Sequence, residues 1–199
     1  MANVELTMKN LEARGFQVSR FPDRESAAQY LLQEVGDKPV GIGGSVTIQE
    51  MDLFPRLAAR GDAFWHAVQP EDGIREKANT CPIYLMSANG VSESGQIINI
   101  DGRGNRVVNM CYAHERVYVI IGINKIAPTD EMALWRARNI ASPKNARRLK
   151  KETPCAQGES LCHDCNAPDR ICSAFVTLER RPGGIPHFEV VIVDEALGY

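Results

Sequence analysis

Four cysteines near the C-terminal end of the sequence are spaced C-x6-C-x2-C-x6-C within residues 153–172. Clustered thiolates of this kind bind zinc or iron–sulfur centres. A zinc ribbon usually has two C-x2-C pairs and a ferredoxin has C-x2-C-x2-C, so this spacing predicts a metal without identifying it. We expect a 4Fe–4S cluster, with zinc as the alternative and four reduced structural thiols as the simpler interpretation. The predicted ligands are Cys155, Cys162, Cys165 and Cys172.

A glycine-rich turn forms a second candidate site. It follows a short predicted strand and precedes a helix start with the capping-box spacing of Thr47 and Glu50. Backbone N–H groups at such a turn, together with a helix N-terminus, favour phosphate or carboxylate. The alternative is a tight turn in which these two side chains serve only the helix. The predicted anion-binding residues of this turn are Gly43, Gly44, Ser45, Thr47 and Glu50.

Polar residues also flank the predicted strand at residues 95–101 and the Asp-Gly-Arg-Gly turn that follows it. Glu93 and Asp101 are candidates for a general acid, a base or a nucleophile. Asn124 and Lys125 end the most apolar strand, where ligands often bind in open α/β sheets. The alternative for all of them is an exposed or structural role. The further predicted anion-binding residues are Asn89, Asn105, Arg106, Asn124 and Lys125.

The elements that must position these residues alternate between strands and helices. Residues 116–123 predict a buried central strand, and residues 129–148 predict a long helix that Pro143 breaks or kinks. Residues 174–181 and 187–194 are interpreted as a closing hairpin, which favours a mixed sheet. The sequence therefore predicts a single layered α/β domain over residues 1–199.

The bulk composition excludes several classes of protein. The 199 residues are 44% hydrophobic and carry a formal net charge of −2, without the basic excess of a nucleic-acid-binding protein. The first ten residues lack the apolar core of a signal peptide, and the longest apolar run, residues 117–123, is too short to span a membrane. We therefore expect a cytoplasmic protein with reduced thiols and no nucleic-acid or membrane partner.

Several segments, taken in order, resemble the LUD (lactate utilization) domain family of LutC/YkgG-type proteins. This resemblance implies a three-layer α/β/α fold with a mixed sheet, of the NagB/RpiA/CoA-transferase type. It also implies a small anionic metabolite such as lactate, and a redox or supporting subunit that works with iron–sulfur and flavin partner proteins. The matching segments are residues 41–50, 88–95, 98–106, 122–126, 141–149, 153–172 and 197–199.

Two other functions remain open at this stage. One is an isomerase- or transferase-like enzyme that acts on an anionic small molecule, with Glu93 or Asp101 as the reacting group and zinc in a structural role. The other is a non-catalytic partner protein, and a homo-oligomer is compatible with each of these functions. No GxGxxG fingerprint is present, so the sequence predicts neither NAD nor FAD binding by this chain.

Overall fold

The computed structural model describes residues 3–199. The strands in this range are β1 (Gln17–Phe21), β2 (Val40–Ile42), β3 (Ala63–Phe64), β4 (Ile83–Met86), β5 (Gly90–Ser92), β6 (Ile97–Asp101), β7 (Arg116–Gly122), β8 (Ile126–Ala127), β9 (Ala174–Leu178) and β10 (His187–Val193). The helices are α1 (Val4–Ala13), α2 (Arg24–Val35), α3 (Val46–Glu50), α4 (Leu53–Ala58), α5 (Ile74–Asn79), α6 (Asn105–Asn109), α7 (Asp130–Arg136), α8 (Ser142–Arg148) and α9 (Pro154–Gln157). Across residues 3–199, none of these helices is long and apolar enough to cross a membrane.

The larger sheet contains six strands in the order β1-β10-β7-β4-β2-β3, and all its neighbouring pairs are parallel. The central strands β10 and β7 are buried along nearly their whole length, which explains their continuous apolar sequences. Because the strands run in one direction, the loops that follow β2, β3, β4 and β7 meet at the same edge. We call this edge the carboxyl edge.

The predicted hairpin of residues 174–181 and 187–194 is wrong. β9 pairs antiparallel with β6 in a smaller sheet of order β8-β5-β6-β9, whereas β10 lies between β1 and β7 in the large sheet. The burial pattern gives the reason, because β9 has alternate residues exposed while β10 is buried on both faces. The predicted mixed main sheet is therefore corrected to a parallel sheet, and mixed pairing is confined to the smaller one.

Apolar side chains cover both faces of the large sheet. On one face α2, α3 and α4 contribute Leu31, Ile48 and Leu57 to the core. On the other face α1 and the small sheet contribute Leu11 and Val91. Helices pack on both sides of a parallel sheet, which confirms the predicted layered α/β class.

The helix predicted over residues 129–148 is interrupted as expected near Pro143. Thr129 caps α7 by accepting a hydrogen bond from the Met132 N–H at 3.2 Å. Pro143 lies in the first turn of α8, and the preceding residues, Ala137–Ala141, form a π-helical segment. Proline cannot donate to the previous turn, so a local change in hydrogen bonding at this point is expected.

Candidate functional site

A cavity of about 670 Å³ opens at the carboxyl edge of the large sheet. Gly44, Asn89 and Lys125 line it from the segments that follow β2, β4 and β7. The β6–α6 turn, α8 and residues 168–171 of the cysteine loop form the other walls. This edge is where parallel α/β sheets usually bind their ligands.

Lys125 is the central cation of one end of this cavity. Its side chain is buried, with the residue only 4% exposed, and its Nζ donates to Thr47 Oγ1 and Ser87 Oγ, both at 2.8 Å. Ser87 in turn donates to the Ile120 carbonyl at 2.6 Å. Burial, and then the nearby Arg136 and Arg106 charges, lower the pKa of Lys125 to about 7, while Glu50 acts in the opposite direction.

Arg106 provides a second, rigidly held cation beside Lys125. Its side chain is 13% exposed, and Nη2 donates to Asn89 Oδ1 at 3.0 Å and to the Ile100 carbonyl at 2.7 Å. A Cβ atom on Gly43 would come within 3.1 Å of Arg106 Cγ. The absence of a side chain at Gly43 therefore leaves room for the Arg106 side chain. We call Thr47, Ser87, Arg106 and Lys125 the lysine end of the cavity.

The last residues of the sequence cover the lysine end. Asn124 Oδ1 accepts from the Leu197 N–H at 3.1 Å, and Glu50 Oε2 accepts from the Gly198 N–H at 2.8 Å. Arg136 is 7% exposed and donates to the Asn124 carbonyl at 2.8 Å and to a Tyr199 main-chain oxygen at 3.1 Å. These contacts fix a lid of residues 197–199 over the Lys125 ammonium.

The cavity wall is strongly basic, although the whole chain has a net charge of −2. Two carboxylates, Asp101 and Asp169, line it. Such a surface favours an anionic ligand because the cations are held in a partly desolvated concave site. The seven basic side chains in the wall are Arg75, Arg103, Arg106, Lys125, Arg148, Lys151 and Arg170.

Comparison with known proteins identifies the family of this chain and a solved structure with a similar fold. The family model of the LUD domain matches residues 4–193. This chain belongs to the LUD domain family. A crystal structure of a DUF162 family protein from Deinococcus radiodurans superposes with a TM-score of 0.58 at 11% identity, covering 96% of this chain and 95% of that one. At that identity the likeness concerns the fold alone, and no curated protein matches the sequence.

Most of the residues predicted to bind an anion lie at or directly behind the cavity of this LUD domain. Four of them support the wall instead of lining it: Thr47 bonds Lys125, Glu50 and Asn124 hold the lid, and Gly43 packs on Arg106. The members that line the cavity are Gly44, Ser45, Asn89, Asn105, Arg106 and Lys125.

The predicted capping box is wrong in one detail. Ser45, and not Thr47, caps α3 by accepting from the Ile48 N–H at 3.2 Å. Thr47 is instead fully buried, with its hydroxyl directed to Lys125. The glycine turn therefore contributes to the site mainly through the space and hydroxyl groups it supplies, since α3 is only five residues long.

The two carboxylates predicted to be catalytic have structural contacts. Glu93 does not line the cavity, and its Oε1 accepts from the Asn3 N–H at 2.7 Å at the start of α1. Asp101 does line it, but its carboxylate accepts from the backbone N–H groups of Arg103, Gly104 and Arg106 at 2.9–3.2 Å. These bonds hold the turn that carries Arg106.

Several cavity residues have no counterpart in the sequence predictions. Trp65 and His66 lie in the wall because they directly follow β3, which ends at Phe64. Burial, and then the Arg75 charge, lower the pKa of His66, while Asp101 acts in the opposite direction. β3 pairs parallel with β2, so the residues that follow it lie at the carboxyl edge. A sequence prediction of that pairing would have identified both residues. The other unpredicted wall residues are Arg75, Arg148, Lys151, Arg170 and Tyr199.

The cysteine loop forms one wall of the cavity and is not a separate appendage. The Ser173 N–H donates to the Asp101 carbonyl at 2.9 Å, and Lys151 pairs with Asp169 at 2.6 Å. The loop also folds around Arg170, which donates to the Cys172 carbonyl at 2.8 Å. Neither residue type nor spacing indicates this contact between the two candidate sites.

The four predicted metal ligands are all free, partly buried thiols. Across residues 3–199, no group of three or more His, Cys, Asp or Glu side chains is arranged to hold a metal ion. The thiols of this LUD domain therefore do not fit a metal or cluster with the loop folded as it is here. The other two cysteines lie outside the loop: Cys81 is buried and Cys111 is half-buried.

Proposed function

We propose that this LUD domain binds 2-hydroxy-acid or 2-oxo-acid anions in the cavity and serves lactate utilization as a supporting or redox subunit. The family is associated with lactate utilization. The observation that carries the proposal is the buried Lys125 ammonium at the end of a basic cavity. A carboxylate bound there would receive charge-assisted hydrogen bonds at the centre of the lysine end.

The two hydroxyl contacts of Lys125 explain how the site is prepared for an anion. Thr47 and Ser87 accept hydrogen bonds from Nζ without supplying a negative charge. The Lys125 side chain therefore makes no ion pair within residues 3–199, and it lines the cavity. A ligand carboxylate would supply the missing counter-charge and raise the pKa of Lys125 above about 7.

The test is L-lactate and pyruvate binding by Lys125→Met, measured by isothermal titration calorimetry. Loss of a charge-assisted bond of about 1.5–3 kcal/mol predicts affinity weaker by about 10- to 100-fold. Met fits this buried position because the two hydroxyls keep their bonds to the Ile120 and Leu197 carbonyls. Lys38→Met, at an exposed residue outside the cavity, is the matched control. Unchanged affinity in Lys125→Met would contradict the proposal.

The cysteine loop supports a second candidate function, an iron–sulfur or zinc centre. The specific observation is that one loop, residues 153–172, carries four free and partly buried thiols. The loop would still have to change conformation to complete a ligand set. Anaerobic purification with iron, sulfide and zinc analysis is the test, and protein containing none of the three would remove this candidate.

The cellular setting belongs to the same proposal. We infer a cytoplasmic protein whose partners are iron–sulfur and flavin proteins, because this chain has no nucleotide fingerprint for its own NAD or FAD. Co-purification of a flavin protein with the tagged chain would support the redox role. If the chain binds lactate but no flavin protein co-purifies with it, the result would favour a supporting subunit over a redox subunit.

A further inference from the structure

The cavity is much larger than a three-carbon acid. Some of its basic side chains have hydrogen-bond or ion-pair partners within the protein, and others do not. On the cysteine-loop side, Arg148 bonds to Asn145 Oδ1 at 2.8 Å, Lys151 pairs with Asp169, and Arg170 bonds to loop carbonyls. These three basic groups are already used by the protein. Their contacts stabilise the cavity wall, so these groups need no ligand as a partner.

Arg75 and Arg103 are different. Within residues 3–199 neither side chain forms a hydrogen bond or an ion pair, although both line the cavity and Arg75 is half-buried. Glu71, Asp72 and Glu76 lie beside Arg75 in an adjoining cavity of about 300 Å³, yet none of them pairs with it. A partly desolvated guanidinium without a partner is costly, so an external anion is the expected counter-charge.

Two buried donors at this end of the cavity also lack acceptors. The Nε of Arg75 and the indole Nε1 of Trp65 have no hydrogen-bond partner and are shielded from solvent. Trp65 is 3% exposed and lines the cavity next to His66. Buried donors are nearly always paired in folded proteins, so two of them on one wall point to a group that the protein itself does not supply.

His66 connects the two ends of the cavity. A Cβ atom on Gly44 would stand 3.5 Å from His66 Nε2, so the imidazole lies against the glycine turn of the lysine end. His66 also shares the cavity wall with Arg75 and Arg103, and it lines the adjoining cavity together with Arg75. We call Trp65, His66, Arg75 and Arg103 the arginine end of the cavity.

We propose that the ligand of this cavity carries two separate anionic groups, one bound at the lysine end and the other at the arginine end. This inference rests on the proposed function and extends it from a simple hydroxy acid to an organic acid with a second carboxylate or a phosphate. L-Lactate would then occupy only the lysine end. The unpartnered Arg75 would bind the second group.

The affinities of L-lactate, L-malate and 3-phosphoglycerate, measured by calorimetry, test this inference. We expect L-malate or 3-phosphoglycerate to bind at least tenfold more tightly than L-lactate, and the better of the two identifies the second group as carboxylate or phosphate. In Arg75→Met that preference should fall to less than threefold, because the dianion loses its second counter-charge. Arg180→Met, at an exposed arginine outside the cavity, should retain the full preference.

Trp65 gives an independent measurement. The sequence has two tryptophans, and Trp135 is 54% exposed on α7, so Trp135→Phe leaves Trp65 as the single tryptophan, which can be excited selectively over tyrosine. The better dianion should shift Trp65 emission, and L-lactate should not. Equal affinities for all three probes, or an unchanged preference in Arg75→Met, would overturn this inference alone. Binding of none of them would overturn the proposed function as well.

Discussion

The lysine end of the cavity and the cysteine loop both concentrate reactive side chains, but they are held in opposite ways. Lys125 lies among buried groups and directly follows the central strand, with side-chain hydroxyls as its partners. The loop of residues 153–172 is partly exposed, mostly irregular, and held by Arg170 through backbone carbonyls. The functional groups of the lysine end are therefore held by direct side-chain hydrogen bonds. The thiols, by contrast, lie on a loop that is held through its backbone.

The largest expected difference between the two regions is in stability. Arg136→Met removes donors to the Asn124 and Asn89 carbonyls and to Tyr199, all at the lysine end. Leaving three partly buried acceptors without this donor predicts a loss of about 2–4 kcal/mol in the free energy of unfolding, measured with guanidinium chloride. Arg148→Met, beside the cysteine loop, should cost at most about 0.5 kcal/mol because Arg148 is exposed and its only side-chain partner within residues 3–199 is Asn145. Equal losses would contradict the comparison.

A smaller effect is expected from glycine substitutions. Gly198 has φ +61°, and a Cβ atom there would come within 2.5 Å of Thr47 Oγ1 and 3.3 Å of Lys125 Nζ. Gly198→Ala should therefore cost about 1–2 kcal/mol in thermal unfolding and weaken L-lactate binding. Gly158→Ala in the cysteine loop meets its first neighbour at 3.4 Å and should change neither quantity. Strain of the same size at both positions would show that the lid is no more constrained than the loop.

The pH dependence of binding sharpens the same contrast. The pKa of Lys125 is lowered to about 7 in the free protein, so the ammonium is lost as the pH rises through that value. L-Lactate affinity should then fall by up to about tenfold per pH unit above pH 7, because the anion binds the charged form. Lys125→Met should show a flat profile over the same range. A flat wild-type profile would remove Lys125 from the binding site.

The smallest expected effect concerns the chemical reactivity of the thiols in the cysteine loop. Burial raises the pKa of the Cys172 thiol, and Cys162 and Cys165 act in the same direction, while Arg170 opposes them. Iodoacetamide should therefore alkylate Cys172 several-fold more slowly than free cysteine at pH 7.5, as followed by mass spectrometry. Faster alkylation than free cysteine would mean that Arg170 dominates the thiol environment.

Several residues chosen from local sequence patterns share the cavity at the carboxyl edge. Gly44, Asn89 and Lys125 come after β2, β4 and β7, and parallel strands bring such positions to one edge without further information. The pairing of β9 with β6, by contrast, depends on contacts between residues far apart in sequence. No short pattern distinguishes it from a hairpin.

The arginine end and the lid were not predictable for the same reason. Arg75 reaches the cavity from the segment between β3 and β4, and Tyr199 reaches it from the far end of the described chain. Glu93 shows the reverse case: its position beside a binding motif suggested chemistry, whereas its carboxylate accepts from the Asn3 N–H at the start of α1. Residue type and spacing identify candidates, but the tertiary contacts decide which of them share a cavity.

Proton uptake on ligand binding tests the central claim most directly. Wild-type protein would be titrated with L-lactate by calorimetry at pH 8 in two buffers of different ionisation enthalpy. If the anion binds the Lys125 ammonium, the free amine must take up close to one proton, about 0.9 for a pKa of about 7. Lys125→Met should take up none. Binding by the wild type without proton uptake would contradict the account.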